Sequence, residues 1–132
     1  MIVRTFFAVL ALVMLLLPAY VFAEDAEVEI DFLLSAIGES GCVFIRNGTR
    51  HNARDAEDHL RTKYRRGKRY ASTSEKFIER LASQSSMSKK LYYIECEGEE
   101  KVPSGDWLGA RLDAYRARQT VTDMPDIEPA PQ

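Results

Sequence analysis

Three short stretches of this chain carry side chains that could do chemistry. Arg46-Asn47-Gly48 follows an apolar run, and an arginine fork beside the exposed backbone N–H groups of a tight turn suits an anion or a carboxylate. His51 and His59 are the only histidines. His59 stands at the edge of an apolar stripe with Lys63 one helical turn on, where an imidazole titrating near neutrality could act as a general base. Ser85-Ser86-x-Ser88 offers hydroxyl nucleophiles in a serine-rich loop, Ser85 and Ser86 foremost, although no G-x-S-x-G elbow surrounds it. Each feature also has a plainer reading. Asn-Gly makes a hairpin turn, a histidine can bond a helix to a loop, and loop serines bond backbone groups. The spacing of the two histidines fits neither HExxH nor a structural zinc pattern, so no metal is expected, and no motif calls for a cofactor.

A second kind of feature is charge. Arg61, Lys63, Arg65, Arg66, Lys68 and Arg69 crowd one stretch, with Tyr64 and Tyr70 interleaved. A polyanion surface is one reading. The other is a solvated helix face, in which bases in the last turn complement the helix dipole and Glu57 and Asp58 pair with Arg61. The whole chain has 132 residues and a net charge of only −2, which argues against nucleic acid as a partner. Asn47-Gly48-Thr49 also matches the short pattern for N-glycosylation, which matters only in a eukaryotic host.

The compartment is written at the start of the chain. A basic beginning at Arg4, an apolar run from Phe6 to Leu17, Pro18, and Val21 and Ala23 before Glu24 predict a signal peptide over residues 1–23, cut after Ala23. An uncleaved anchor is the competing reading, because Thr5 to Ala23 carries no charge. Pro18 and the Val-x-Ala site favour cleavage, leaving no stable membrane anchor. In an oxidising compartment Cys42 and Cys96 are expected to pair, and closing that loop is worth on the order of 4 kcal/mol in the chain-entropy model.

The elements that must position these groups follow from periodicity. A first helix runs over about 26–37, with Val28 and Phe32 joining Ile30, Leu33, Leu34 and Ile37 on a broad apolar face, and Gly38 to Gly41 ends it. Cys42 to Ile45 is a strand, followed by the Asn47-Gly48 turn. Asn52 caps a second helix over 53–66 with Ala53, Ala56, Leu60 and Tyr64 inward, and Gly67 stops it. A third helix begins near Ser72 or Thr73, where Ser72-x-x-Glu75 fits a capping box, and buries Phe77, Ile78, Leu81 and Ala82. Leu91 to Cys96 is a second strand, with Tyr92, Ile94 and Cys96 on one face. Ser104 caps a last helix to about Arg116, with Leu108, Leu112 and Tyr115 inward. The expected fold is α+β: one mostly helical domain over 24–118, about four helices with a two-stranded or few-stranded sheet. Residues 119–132, rich in proline and acid, are read as a disordered tail.

Taken together, Arg46-Asn47-Gly48-x-x-His51, Ala56-x-x-His59-Leu60-x-x-Lys63, Thr73-x-Glu75-x-Phe77-Ile78, Ala82-Ser83-x-Ser85-Ser86 and Tyr92 resemble the YfeK-like family, small exported proteobacterial proteins with a domain of unknown function. The resemblance runs from about Ile30 to Leu112 and implies a periplasmic location but no established activity. The cysteine pair is not part of that pattern. The polar residues of these motifs fall in loops and on helix edges, so Arg46, Asn47, His51, His59, Lys63, Glu75, Ser85 and Ser86 are expected to converge, with the loop after the first strand and the serine loop near His59. The leading expectation is a small periplasmic binding or interaction module for an anionic ligand or an envelope protein. The alternative is a small cell-envelope hydrolase or transferase with His59 as base and Ser85 or Ser86 as nucleophile.

Overall fold

A computed structural model describes residues 25–123. The expected signal peptide and the prolines of the expected tail lie outside them. Helix α1 spans 25–39, and its period sets Ala26, Ile30, Leu33, Leu34 and Ile37 in the core. Val28 does not join that face; it is 54% exposed, while Phe32 sits at its margin and stacks on Tyr115 with ring centroids 4.4 Å apart. Ser40 closes the helix by donating its hydroxyl to the Ile37 carbonyl at 2.7 Å, and Gly41, at φ 67°, turns the chain into the sheet.

The sheet has four strands where two were the minimum expected. Strands β1 (Val43–Arg46), β2 (Thr49–His51), β3 (Tyr93–Glu95) and β4 (Val102–Pro103) pair antiparallel in the order β2-β1-β3-β4. Asn47 and Gly48, at φ 49° and 75°, form the tight turn that folds β2 back onto β1. Residues two apart share a face, so Phe44 and Ile94 point inward together while Val43, Ile45 and Tyr93 form the outer face. Cys42 and Cys96 continue the β1–β3 register and form a disulfide.

Helix α2 (Ala53–Gly67) is capped by Asn52, whose side chain accepts from the Asp55 N–H at 2.9 Å. Its buried stripe is Ala53, Ala56, Leu60 and Gly67. Gly67 is needed for close approach: a Cβ there would stand 3.0 Å from Leu81 Cδ2. Helix α3 is α-helical over Ser74–Phe77 and widens into a π turn over Ile78–Ala82. Its cap is Thr73, which accepts from the Lys76 N–H at 3.1 Å, and not Ser72; Glu75 is drawn away to Arg116 instead of closing a capping box.

Helix α4 (Ser104–Thr122) starts one residue before the position expected, with Pro103 at the N-cap. Ser104 is buried and donates its hydroxyl to the Ala82 carbonyl at 2.7 Å, satisfying the end of α3 where a cap for its own helix was expected. The helix also runs past Arg116, so 119–122 are helical and not part of a tail. No proline interrupts it before Pro125, and Thr120 and Thr122 bond back to the Arg116 and Arg118 carbonyls at 3.1 Å. Residues from all four helices and the inner sheet face form one core around Leu33, Leu60, Phe77, Tyr92 and Leu108.

Candidate functional site

The pleat of β1 puts Arg46 on the same inner face as Phe44, at the end of the sheet where the helices no longer cover it fully. Register brings two more groups to that face. His51 pairs directly with Phe44, and one step beyond Ile45↔Tyr93 sets Tyr92 opposite Arg46. Helix α2 then lays His59 and Lys63, one turn apart, against this row.

The contacts are short. Arg46 Nη1 lies 2.9 Å from both ring nitrogens of His59. Lys63 Nζ donates to the Gln84 carbonyl at 2.8 Å and to the Tyr92 hydroxyl at 3.2 Å, and stands 4.9 Å from the Tyr92 ring centre. Tyr92 is edge-on to both Phe44 and His59. Its side chain is buried in the core, and its hydroxyl takes a partner there, as a buried phenol must.

The serine loop closes the arrangement from the other side. Ser88 Oγ donates to Asn47 Oδ1 at 2.7 Å, fastening the loop to the β1–β2 turn. Ser85 is buried and its hydroxyl accepts from the Ser88 N–H at 3.2 Å, so it shapes the loop. Ser86 is exposed and lines a cleft with His59 and Lys63. His59 meets Arg46, with no hydrogen bond to Ser85 or Ser86 among the described residues.

The cluster is electropositive. Among the described residues neither Arg46 nor Lys63 has a carboxylate within 4.0 Å. Burial first, then Arg46, Lys63 and His51, push the His59 pKa down to about 4. Burial and the nearby Arg46 and Lys89 push Lys63 down to about 8. His51 Nε2 is buried and has no hydrogen-bond partner among the described residues. That ring, with Arg46, His59 and Asp55, lines a cleft of about 290 Å³.

Glu75 belongs elsewhere. Arg116 donates to Glu75 at 2.5 Å and, with two nitrogens, to Glu29 at 2.6 and 2.9 Å, while Ser74 also donates to Glu29. This network clasps α1, α3 and α4 and holds the Glu29 and Glu75 carboxyls below their ordinary pKa, chiefly through the Arg116 hydrogen bonds. The basic run is likewise divided. Arg61 bonds Asp31 and Ser35 of α1 as well as Glu57, Lys68 just past α2 pairs with Glu27 of α1, and Arg65 bonds Thr62 within α2, so two of the six bases tie this stretch to α1. Among the described residues no cluster of three His, Cys, Asp or Glu is placed to hold a metal ion, and no helix is long and apolar enough to cross a membrane.

Tyr92 and Ser88 are the members of the cluster that sequence reasoning left out of the site. The signal for Tyr92 was a tyrosine at a core position, whose hydroxyl had to find a partner. Ser88 carried none beyond its serine-rich surroundings.

Residues 24–116 match the "Family of unknown function (DUF5329)". The chain is also similar to "Uncharacterized protein YfeK" of Salmonella typhimurium, 38% identical over 87 residues that span 64% of this chain and 72% of that protein. No solved structure matches.

Proposed function

The chain belongs to the family of unknown function DUF5329, and from that premise we propose that it is a small periplasmic binding module whose ligand is an oxyanion held at Arg46, His51, His59 and Lys63. The observation that carries this reading is the pair of partly buried cations without a carboxylate partner among the described residues. Desolvating a charge is costly, and folds that do so without an internal counter-ion gain most when an external one arrives. Arg46 supplies a donor fork, Lys63 a point charge, and the orphaned His51 Nε2 a further donor in the tautomer that protonates it. The export pattern over residues 1–23 and the Cys42–Cys96 disulfide support the compartment.

The rival hydrolase has less support. A general base held against a guanidinium and driven to a pKa of about 4 is a weak proton acceptor at neutral pH, and Ser85 Oγ is engaged within its own loop. The test is a titration of the folded chain with inorganic phosphate, followed by amide and imidazole NMR shifts. Saturable shifts confined to Arg46, His51, His59, Lys63 and Tyr92, weakened about tenfold or more in Arg46→Ala, are expected. Shifts that rise linearly and equally in both proteins would remove the anion site.

A further inference from the structure

A second cleft, of about 340 Å³, shares His59 with the first. Thr62, Arg66 and Gly67 of α2, with Tyr70, Leu81 and Ser86, form its walls beside His59 and Lys63. The lining is predominantly apolar, and every charged group in it is basic. Gly67 contributes no side chain, which leaves Leu81 as part of the wall. Tyr70 is 50% exposed, a large ring left half in water beside the cleft. We infer that this cleft is the apolar subsite of the anion site, so that the ligand is a small amphipathic oxyanion with its charged group over His59 and Lys63 and its aromatic or short aliphatic group between Tyr70 and Leu81.

The inference rests on the anion-binding reading and adds the chemical class of the ligand. Two features support it beyond the apolar lining. First, His59 and Lys63 belong both to the polar cluster and to this cleft, so one molecule can reach both. Second, the size and composition suit a small molecule: concave, apolar, with a few convergent polar groups. A membrane surface fits less well. Arg61 and Lys68, which a flat cationic face would need, are turned to carboxylates of α1.

The experiment compares inorganic phosphate with phenyl phosphate on the purified chain, by calorimetry and NMR. Phenyl phosphate is expected to bind about tenfold tighter or more, because its ring leaves water. Tyr70→Ser, at an exposed position, removes one wall, and Ser86→Trp fills the cleft from the loop. Both are expected to bring the two ligands within about twofold of each other, and in Tyr70→Ser, which leaves the anion cluster untouched, phosphate affinity stays as in wild type. Equal affinity of the two ligands for the wild-type chain overturns the apolar subsite and leaves the anion site standing. Saturation by neither ligand overturns the anion site itself. A preference for phenyl phosphate that survives both substitutions places the ring elsewhere and overturns the inference. So does binding to phosphatidylglycerol vesicles without binding to phenyl phosphate, which would make the partner a lipid surface.

Discussion

Arg46 and His59, thirteen positions apart in the chain, meet with Nη1 2.9 Å from each imidazole nitrogen. A guanidinium donates and never accepts, so a hydrogen bond here uses the one ring nitrogen that carries no hydrogen and pairs Arg46 with the neutral imidazole. The contact therefore couples two properties of the site. It points the Arg46 charge at the cleft, and it adds to burial, the larger cause, in making protonation of His59 unfavourable, since a proton there would face Arg46 and Lys63 together.

The pH dependence of folding should carry that signature. His59 titrates near 4 in the fold against an ordinary value of 6.5. Between those values the unfolded chain binds a proton that the folded chain refuses. Its contribution is therefore complete above pH 6.5 and is lost as pH falls toward 4. Melting temperature measured across this range should fall more steeply for wild type than for His59→Gln. Carboxylates titrate in both proteins and cancel in the difference. Parallel curves would show that His59 is not held neutral by its surroundings.

The disulfide should be a large single contributor to stability. Cys42 and Cys96 close a separation of 54 residues and join β1 to β3, the two strands that set Arg46 opposite Tyr92. The Cys42→Ser, Cys96→Ser double variant should lose about 2–5 kcal/mol, read from denaturant midpoints under non-reducing conditions. An unchanged midpoint would mean that packing of the core alone fixes the sheet.

How far the sequence discloses this fold depends on whether a residue's task is local. Apolar spacing at 3.6 residues located α1 and α2, and Asn47-Gly48 and Asn52 marked a turn and a cap whose bonds close within three residues. Ser104 and Glu75 misled because each fits a local capping pattern yet spends its polar atoms on distant partners, Ala82 and Arg116. Strands β2 and β4 were too short, at three and two residues, to show alternation. Within the site, the nearness of the first loop, the serine loop and His59 was legible because polar residues interrupted no core stripe. The pairing of His59 with Arg46 was not. It depends on strand register, and a single-residue slip would have turned Arg46 to the outer face.

Lys63 offers the sharpest check on what the cluster is for. Burial, Arg46 and Lys89 lower its pKa from 10.5 to about 8, so it is charged at neutral pH and loses its proton first in the folded chain as pH rises. Affinity for sulfate, whose charge does not change in this range, should fall as pH passes through 8. In Lys63→Arg the fall should vanish, because a guanidinium does not titrate there. Unfolding cannot imitate the effect. Between pH 8 and 10.5 the unfolded chain holds the Lys63 proton that the folded chain has released, so this residue makes the fold more stable while binding weakens. Binding and stability should therefore move in opposite directions over the same interval. If sulfate affinity stays level from pH 7 to pH 9 in wild type, Lys63 is not a ligand group, and its ammonium serves only to join α2 to the Gln84 carbonyl and Tyr92.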